Sequence, residues 1–337
     1  MFGRLMNSFY YGKSGKGDYR KEDLPKNRWQ LFWEMLRIRL SGLCRINLMT
    51  CIAWIPTMVV VAMLLNAVLT ASDLVRVKDE TTNSSVMMLV YDAPVDEDGN
   101  PTGEATQVEA RGILQMFALA LIPCILITGP IQAGLAYVTR NWARDEHAFP
   151  WADFRDAVKD NWKQALGVSA LTSVVPLVAY TAVSYYGEMT KGSAVMFVPL
   201  MLVLSATLIY IVMLPLLYPM MVGYELSFGN LIKNAFLMGA ARLPQMLLAR
   251  LITAVPVIAL LMGIYAGNGI VLMIVSLYYL LFGFALSRLV YASFANGVFD
   301  KYLNPHIEGA QVGQGLRPQS EDDELPDEDD EDDEEDE

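Results

Sequence analysis

Hydrophobic and polar positions are segregated along this chain. Five runs carry no charged residue, at positions 46–70, 112–139, 165–187, 192–224 and 251–287. A helix needs about 20 apolar residues to cross the hydrocarbon core of a bilayer, and every run meets that length. The last is too long for one crossing and contains Gly267-Asn268-Gly269, a strong turn signal. It reads as two helices joined by a tight hairpin. The pattern therefore predicts an all-α fold, a polytopic membrane bundle of six transmembrane helices. The spans are expected near 46–70, 113–138, 165–187, 195–222, 247–266 and 270–292, within a membrane domain of 26–303.

Three stretches between the runs are amphipathic. Trp29, Phe32, Trp33, Leu36, Leu40 and Leu43 recur at helical spacing in the first. Phe154, Val158, Trp162 and Ala165 do so in the second, and Phe228, Leu231, Ala235 and Phe236 in the third. Charged and polar residues fill other positions (Arg28, Glu34, Arg37 and Arg45; Arg155, Asp156, Lys159, Asp160 and Lys163; Asn230, Lys233 and Arg242), as in helices that lie at a membrane interface. Each stretch precedes a span, giving three rounds of amphipathic helix, span, outside connection and return span. Two of the return spans close similarly, on Gly129-Pro130, Gly134 and Tyr137, and on Pro219, Gly223 and Tyr224.

Charge sharpens the picture. The formal net charge is −12, but from 321 to 337 every position except Leu325 and Pro326 is Asp or Glu. The rest of the chain is mildly basic, with 22 acids against all 25 bases. Residues 304–337 are expected to be a disordered acidic cytoplasmic tail, because they have little apolar surface to offset ordering entropy. Residues 1–25 are expected to be a flexible basic N-terminus. Placing both termini inside puts 21 of the 25 Lys and Arg on the cytoplasmic side, as the positive-inside rule demands. The expected location is a bacterial cytoplasmic membrane. The first apolar run starts near residue 46, too far along for a cleaved signal, and should act as an uncleaved anchor. Arg250 and Arg288 flank the hairpin's far ends and are expected to snorkel to water.

The outside segment 71–111 carries 9 acids and 3 bases. Strand-like runs at 85–91 and 106–110 flank a turn-rich stretch at 96–100. The three cysteines (Cys44, Cys51, Cys124) have no metal-ligand spacing, and the chain has two histidines, His147 and His306. No phosphate loop, G-x-S-x-G or metal cluster is present. The expectation is a non-enzymatic protein with no cofactor, no metal and no nucleic-acid partner.

The stretch GPIQAGLAYVTRNWARDEHAFPWADFRDAVKDNWKQA begins at Gly129. Its Gly129-Pro130, Ala133-Gly134-Leu135, Tyr137, Arg144-Asp145-Glu146, Phe154 and Lys159-x-Asn161-Trp162-Lys163-Gln164-Ala165 resemble the YesL-type family of predicted bacterial integral membrane proteins, whose function is unknown. The segment around 226–243 is similar to a later part of that family's pattern. The resemblance implies a small multi-span protein encoded near carbohydrate uptake and sensing systems, and it supplies no site residues.

From the residues themselves, Gly129, Pro130, Gly134, Pro219 and Gly223 are candidates for helix bending or close packing. Arg140, Arg144, Asp145, Glu146, Trp151, Phe154 and Trp162 are candidates for contacts at the cytoplasmic mouth. The expected role is an accessory, regulatory or assembly component of an uptake or sensing system. The lipid bilayer surrounds it, with a membrane permease or sensor protein as partner. The competing expectation is a transporter or channel for a small neutral solute, because prolines at 123, 130, 176, 199, 215, 219 and 256 could break helices around a substrate.

Overall fold

A computed structural model of the 337-residue chain describes residues 24–78, 85–93 and 102–317. The turn-rich stretch 96–100, the acidic run 321–337 and positions 1–23 of the basic N-terminus lie outside the described residues. Among those described, six helices are long and apolar enough to cross a membrane: Arg28–Leu69, Ala110–Trp142, Ala152–Met189, Ala194–Gly223, Leu243–Tyr265 and Gly269–His306. The fold is an all-α polytopic bundle.

In chain order, α1 is Arg28–Leu69, α2 Ala110–Trp142, α3 Ala152–Met189 and α4 Phe197–Gly223. These are followed by α5 Phe228–Ala241, α6 Leu243–Tyr265, α7 Gly269–Tyr278 and α8 Phe284–Tyr302. The expected amphipathic helices at the first two positions are not separate. Each is continuous with the span that follows it, in α1 and α3, because no turn residue intervenes to stop the helix. Only the third stands alone, as α5. Arg242, with φ −126° and ψ 33°, breaks the chain there, and Leu243-Pro244 opens α6 with the proline in its first turn. The prolines inside the spans interrupt nothing: Pro123 and Pro130 lie within a continuous α2, Pro176 within α3, Pro215 and Pro219 within α4, and Pro256 within α6.

The expected hairpin forms at Gly267, whose φ of 61° is a left-handed conformation that glycine adopts without steric cost. The Gly267 N–H donates to the Ile264 carbonyl and the Asn268 N–H to the Gly263 carbonyl, closing α6. Asn268 Oδ1 then accepts from the Ile270 and Val271 N–H groups and starts α7. Between α1 and α2 lies an antiparallel sheet of order β1-β2-β3, comprising Asp73–Lys78, Ser85–Tyr91 and Thr106–Glu109. Asp73 pairs with Val90, and Met88 with Glu109. The Tyr91 hydroxyl donates to the Ala67 carbonyl at 2.8 Å and ties the sheet to α1.

Packing is concentrated at one end. The buried residues of α1 lie between Leu31 and Thr50, and those of α8 between Ala285 and Phe299. Trp142, Leu216, Leu217, Leu231, Met246 and Phe299 are among the large side chains fully enclosed there. Towards the sheet, apolar side chains such as Met63, Leu119, Val183, Leu202, Val255 and Met273 are exposed, the composition a helix presents to hydrocarbon. α1 has 42 residues and so spans roughly 63 Å, about twice the hydrocarbon thickness. The packed end therefore projects beyond the span. We term it the basic end, after the Arg and Lys residues on its connections.

The chain past residue 303 is not all extended tail. Asn304–His306 forms a short 3-10 turn, and the Arg317 N–H donates to the Pro25 carbonyl at 2.9 Å. Residues 304–317 thus fold back on the start of α1. Asn304 and three glycines with positive φ (Gly309, Gly313, Gly315) permit this compact path, which the expectation of a tail from 304 onward missed.

Candidate functional site at the basic end

α2 ends in a tight reversal. The Asp145 N–H donates to the Trp142 carbonyl and the Glu146 N–H to the Asn141 carbonyl. This is a Schellman turn, with Asp145 at the left-handed position (φ 56°) where glycine is usual. Partial desolvation pushes the Asp145 carboxyl above the ordinary carboxylate range, against the pull of Arg39. The chain then restarts at α3, where the Phe149 N–H donates to Asp153 Oδ2 and caps the helix.

Behind this turn, polar side chains link four segments. The half-buried Arg140 guanidinium lies 5.6 Å from the Tyr224 ring centre. A β-carbon on Gly223 would come within 2.6 Å of Arg140 Nε, so only glycine leaves room for the stack. The Tyr224 hydroxyl donates to Asn304 Oδ1 at 2.5 Å, and Asn304 Nδ2 donates to Asp300 Oδ1 at 2.6 Å. Asp300 Oδ2 pairs with Arg28 and accepts from the Gly313 N–H. Burial pushes the Tyr224 phenol up, and Arg140 partly opposes that. Buried Arg144 lies with Nε 3.1 Å from Glu146 Oε1, an ion pair whose N–H is not aimed as a hydrogen bond. Its carbonyl abuts Gly315, where a β-carbon would lie 2.7 Å away.

The candidate residues therefore divide. Arg140 and Arg144 turn inward, and Phe154 is buried against Gly134, so Phe154 offers a partner no surface. Trp151, Phe149 and Trp162 face outward at 65%, 61% and 46% exposure. Beside Tyr224, a polar cleft of about 460 Å³ opens between α3 and the α4–α5 connection. Asp160, Lys163 and Glu225 line it, and Gln164 donates across it to the Leu226 carbonyl at 2.7 Å. Gly129 and Gly134 sit where α2 meets α3: a β-carbon on Gly129 would lie 2.5 Å from the Ala165 carbonyl oxygen. Pro219 is buried in α4.

Several residues that organise the interior escaped the sequence reading. Arg288 does not snorkel. Its Nε donates to buried Gln132 Oε1 at 2.7 Å, and its guanidinium stacks 4.5 Å from the Tyr218 ring. Arg250 likewise donates to the Ile211 carbonyl and the Tyr291 hydroxyl. Fully buried Asn47 spans a π-helical turn at Tyr279–Gly283. Its Nδ2 donates to the Tyr279 and Leu280 carbonyls, and its Oδ1 accepts from the Ala285 N–H. The signal that could have found Asn47 and Gln132 is a side-chain amide inside an apolar run, where polar groups are costly and seek partners; each run holds two such amides, Asn47 with Asn66 and Gln115 with Gln132.

Comparison with known proteins places a match on these same helices. Residues 112–183 match a family model described as "Protein of unknown function, DUF624". The matched stretch covers most of α2 and α3, including Gly129, Gly134, Arg140, Arg144, Trp151 and Trp162. No curated protein and no solved structure matches the chain.

Proposed function

We propose that this chain is a YesL-type, non-enzymatic accessory protein of a bacterial membrane, with its basic end in the cytoplasm, where it docks on a permease or sensor protein of a carbohydrate system. The observation that carries this reading is the position of Trp151. About four turns of continuous helix separate it from Ala165, where the uncharged part of α3 begins. That distance is roughly 20 Å, deeper into water than an interfacial aromatic belt extends. An exposed tryptophan there, with Phe149 beside it, is the composition of a protein-contact hot spot. Trp162 lies within one turn of the span, and the membrane interface accounts for its exposure. The inward network of Arg140, Tyr224, Asn304 and Asp300 supports the same reading, since it would hold the docking surface rigid.

The resemblance of Gly129–Ala165 to the YesL-type pattern supports the carbohydrate setting. Affinity purification from native membranes in mild detergent tests the proposal. A permease or sensor protein should co-purify in stoichiometric amount and be lost from a Phe149→Ala/Trp151→Ala variant, while Trp162→Ala retains it. Recovery of the protein alone, together with solute flux in reconstituted vesicles, would replace this reading with the transporter one.

A further inference from the structure

An apolar groove on the basic end has no occupant among the described residues. It runs between the first turns of α1, the start of α6 and the second half of α8, with a volume of about 550 Å³. Trp29, Trp33 and Leu36 form one wall, Val290 and Phe294 another, and Arg242 one end. Trp29 and Trp33 remain 62% and 52% exposed. From Arg242, which caps α6, the lining runs along that helix to Ile252, a length of roughly 15 Å at the helical rise. Arg28, at the rim, lies about five helical turns before Ile46, where the first uncharged run begins. Along α1 that is roughly 27 Å, which sets Trp29 at the end of the groove away from the membrane, while Ile252 and Leu286, both within the uncharged run 251–287, line the end next to the span. An exposed apolar patch of this kind beyond the span marks a binding site.

We infer that the occupant is the start of this same chain, residues 1–10, docked as a short amphipathic helix. Met1, Phe2, Leu5, Met6, Phe9 and Tyr10 recur at a spacing that puts all six on one half of a helix, with Arg4, Asn7 and Ser8 on the other. Ten helical residues measure about 15 Å, the length of the groove. The connection is long enough. Residues 11–23 extend to roughly 40 Å at most, and they end at Leu24, beside the groove. Pro25 is held there by the Arg317 N–H, and Arg28 lines the rim. A helix this short is marginal in isolation. Tethering raises its effective concentration to the order of millimolar, and the groove supplies the apolar face that it lacks. Gly297 lines the groove, and a β-carbon there would meet nothing within 4 Å, so a large side chain at this position fills the space without disturbing α8.

The test uses the full-length chain in mild detergent, with Cys44, Cys51 and Cys124 replaced by serine. Leu5→Cys paired with Gly297→Cys should cross-link within one chain on mild oxidation. Leu5→Cys paired with Ser193→Cys, at the opposite end, should not. In the otherwise native chain, Gly297→Phe should speed tryptic cleavage after Arg4 by about tenfold, read by mass. Three results would overturn the inference: no intrachain cross-link above the control pair, a cross-link only between two chains, or retained phospholipid that Gly297→Phe expels while cleavage after Arg4 is unchanged. If Gly297→Phe does not fold, the cross-linking pair decides alone.

Discussion

Replacing Asn47 by leucine should be among the most damaging single changes in the spanning half of the bundle. The carboxamide makes three backbone hydrogen bonds, two to carbonyls of the π-helical turn at 2.9 Å each and one from the Ala285 N–H just beyond it at 3.0 Å. A π turn leaves main-chain groups out of the regular helical ladder, and Asn47 is fully buried against them. Measured side-chain hydrogen bonds within membranes average about 0.6 kcal/mol, against about 1 in soluble proteins. Three bonds lost together, with the Ala285 N–H and two carbonyls left facing a methyl-bearing side chain, amount to about 2–4 kcal/mol. Leucine keeps the branched shape of asparagine and is no smaller, so little of this cost comes from a cavity. The assay is reversible unfolding in bicelles or mixed micelles, with Ile52→Leu, an exposed position on the same helix, as the reference. Amide exchange of residues 280–285 should accelerate in parallel. A loss below about 0.5 kcal/mol, the size of an ordinary surface change, with unchanged exchange would refute the idea that Asn47 holds this turn.

Further outcomes follow from the same geometry. Gly129→Leu should abolish recovery of monodisperse protein by size-exclusion chromatography, because its β-carbon meets the Ala165 carbonyl and overpacking of a rigid contact costs about 1–3 kcal/mol even for a small excess. Gly187→Leu, where a β-carbon meets nothing within 4 Å, should be recovered like the parent. Asp145→Asn should raise thermal stability at neutral pH by less than about 1 kcal/mol, since the carboxyl still reaches solvent. The folded-state carboxyl is raised, so the native chain binds its proton more tightly than the unfolded one and loses stability as pH rises through that value. The advantage of the amide should therefore shrink as pH falls through the same window, and melting curves that keep a constant gap would contradict the assignment.

The spans were legible because each depends on one local property, an uncharged run of sufficient length. The hairpin was legible because Gly267-Asn268-Gly269 carries its own turn chemistry. Helix continuity was not. The amphipathic stretches of α1 and α3 looked separate because their charge pattern changes at the membrane boundary, yet a helix ends only where the backbone is stopped, and nothing stops it at Arg45 or Gln164. The close approach at Gly129 and Gly134 could be anticipated from residue size, but its partner could not. The Arg28–Asp300 pair joins residues 272 positions apart, and Tyr224 reaches Asn304 across 80. Such pairings depend on how the helices assemble, so Arg140 could be named as a candidate while its stack on Tyr224 stayed hidden. The same limit made Phe154 look like a surface contact, since its burial arises from packing against another helix.

The docking role requires the basic end to lie in the cytoplasm, and labelling of single cysteines in intact cells tests that most directly. In a cysteine-free background, Ser193→Cys, on the short connection before α4, should react with a membrane-impermeant maleimide added outside. Glu308→Cys, on the fold-back beyond α8, should react only after the membrane is opened. Labelling of Glu308→Cys in sealed cells, with Ser193→Cys protected, would contradict the orientation and the docking role built on it.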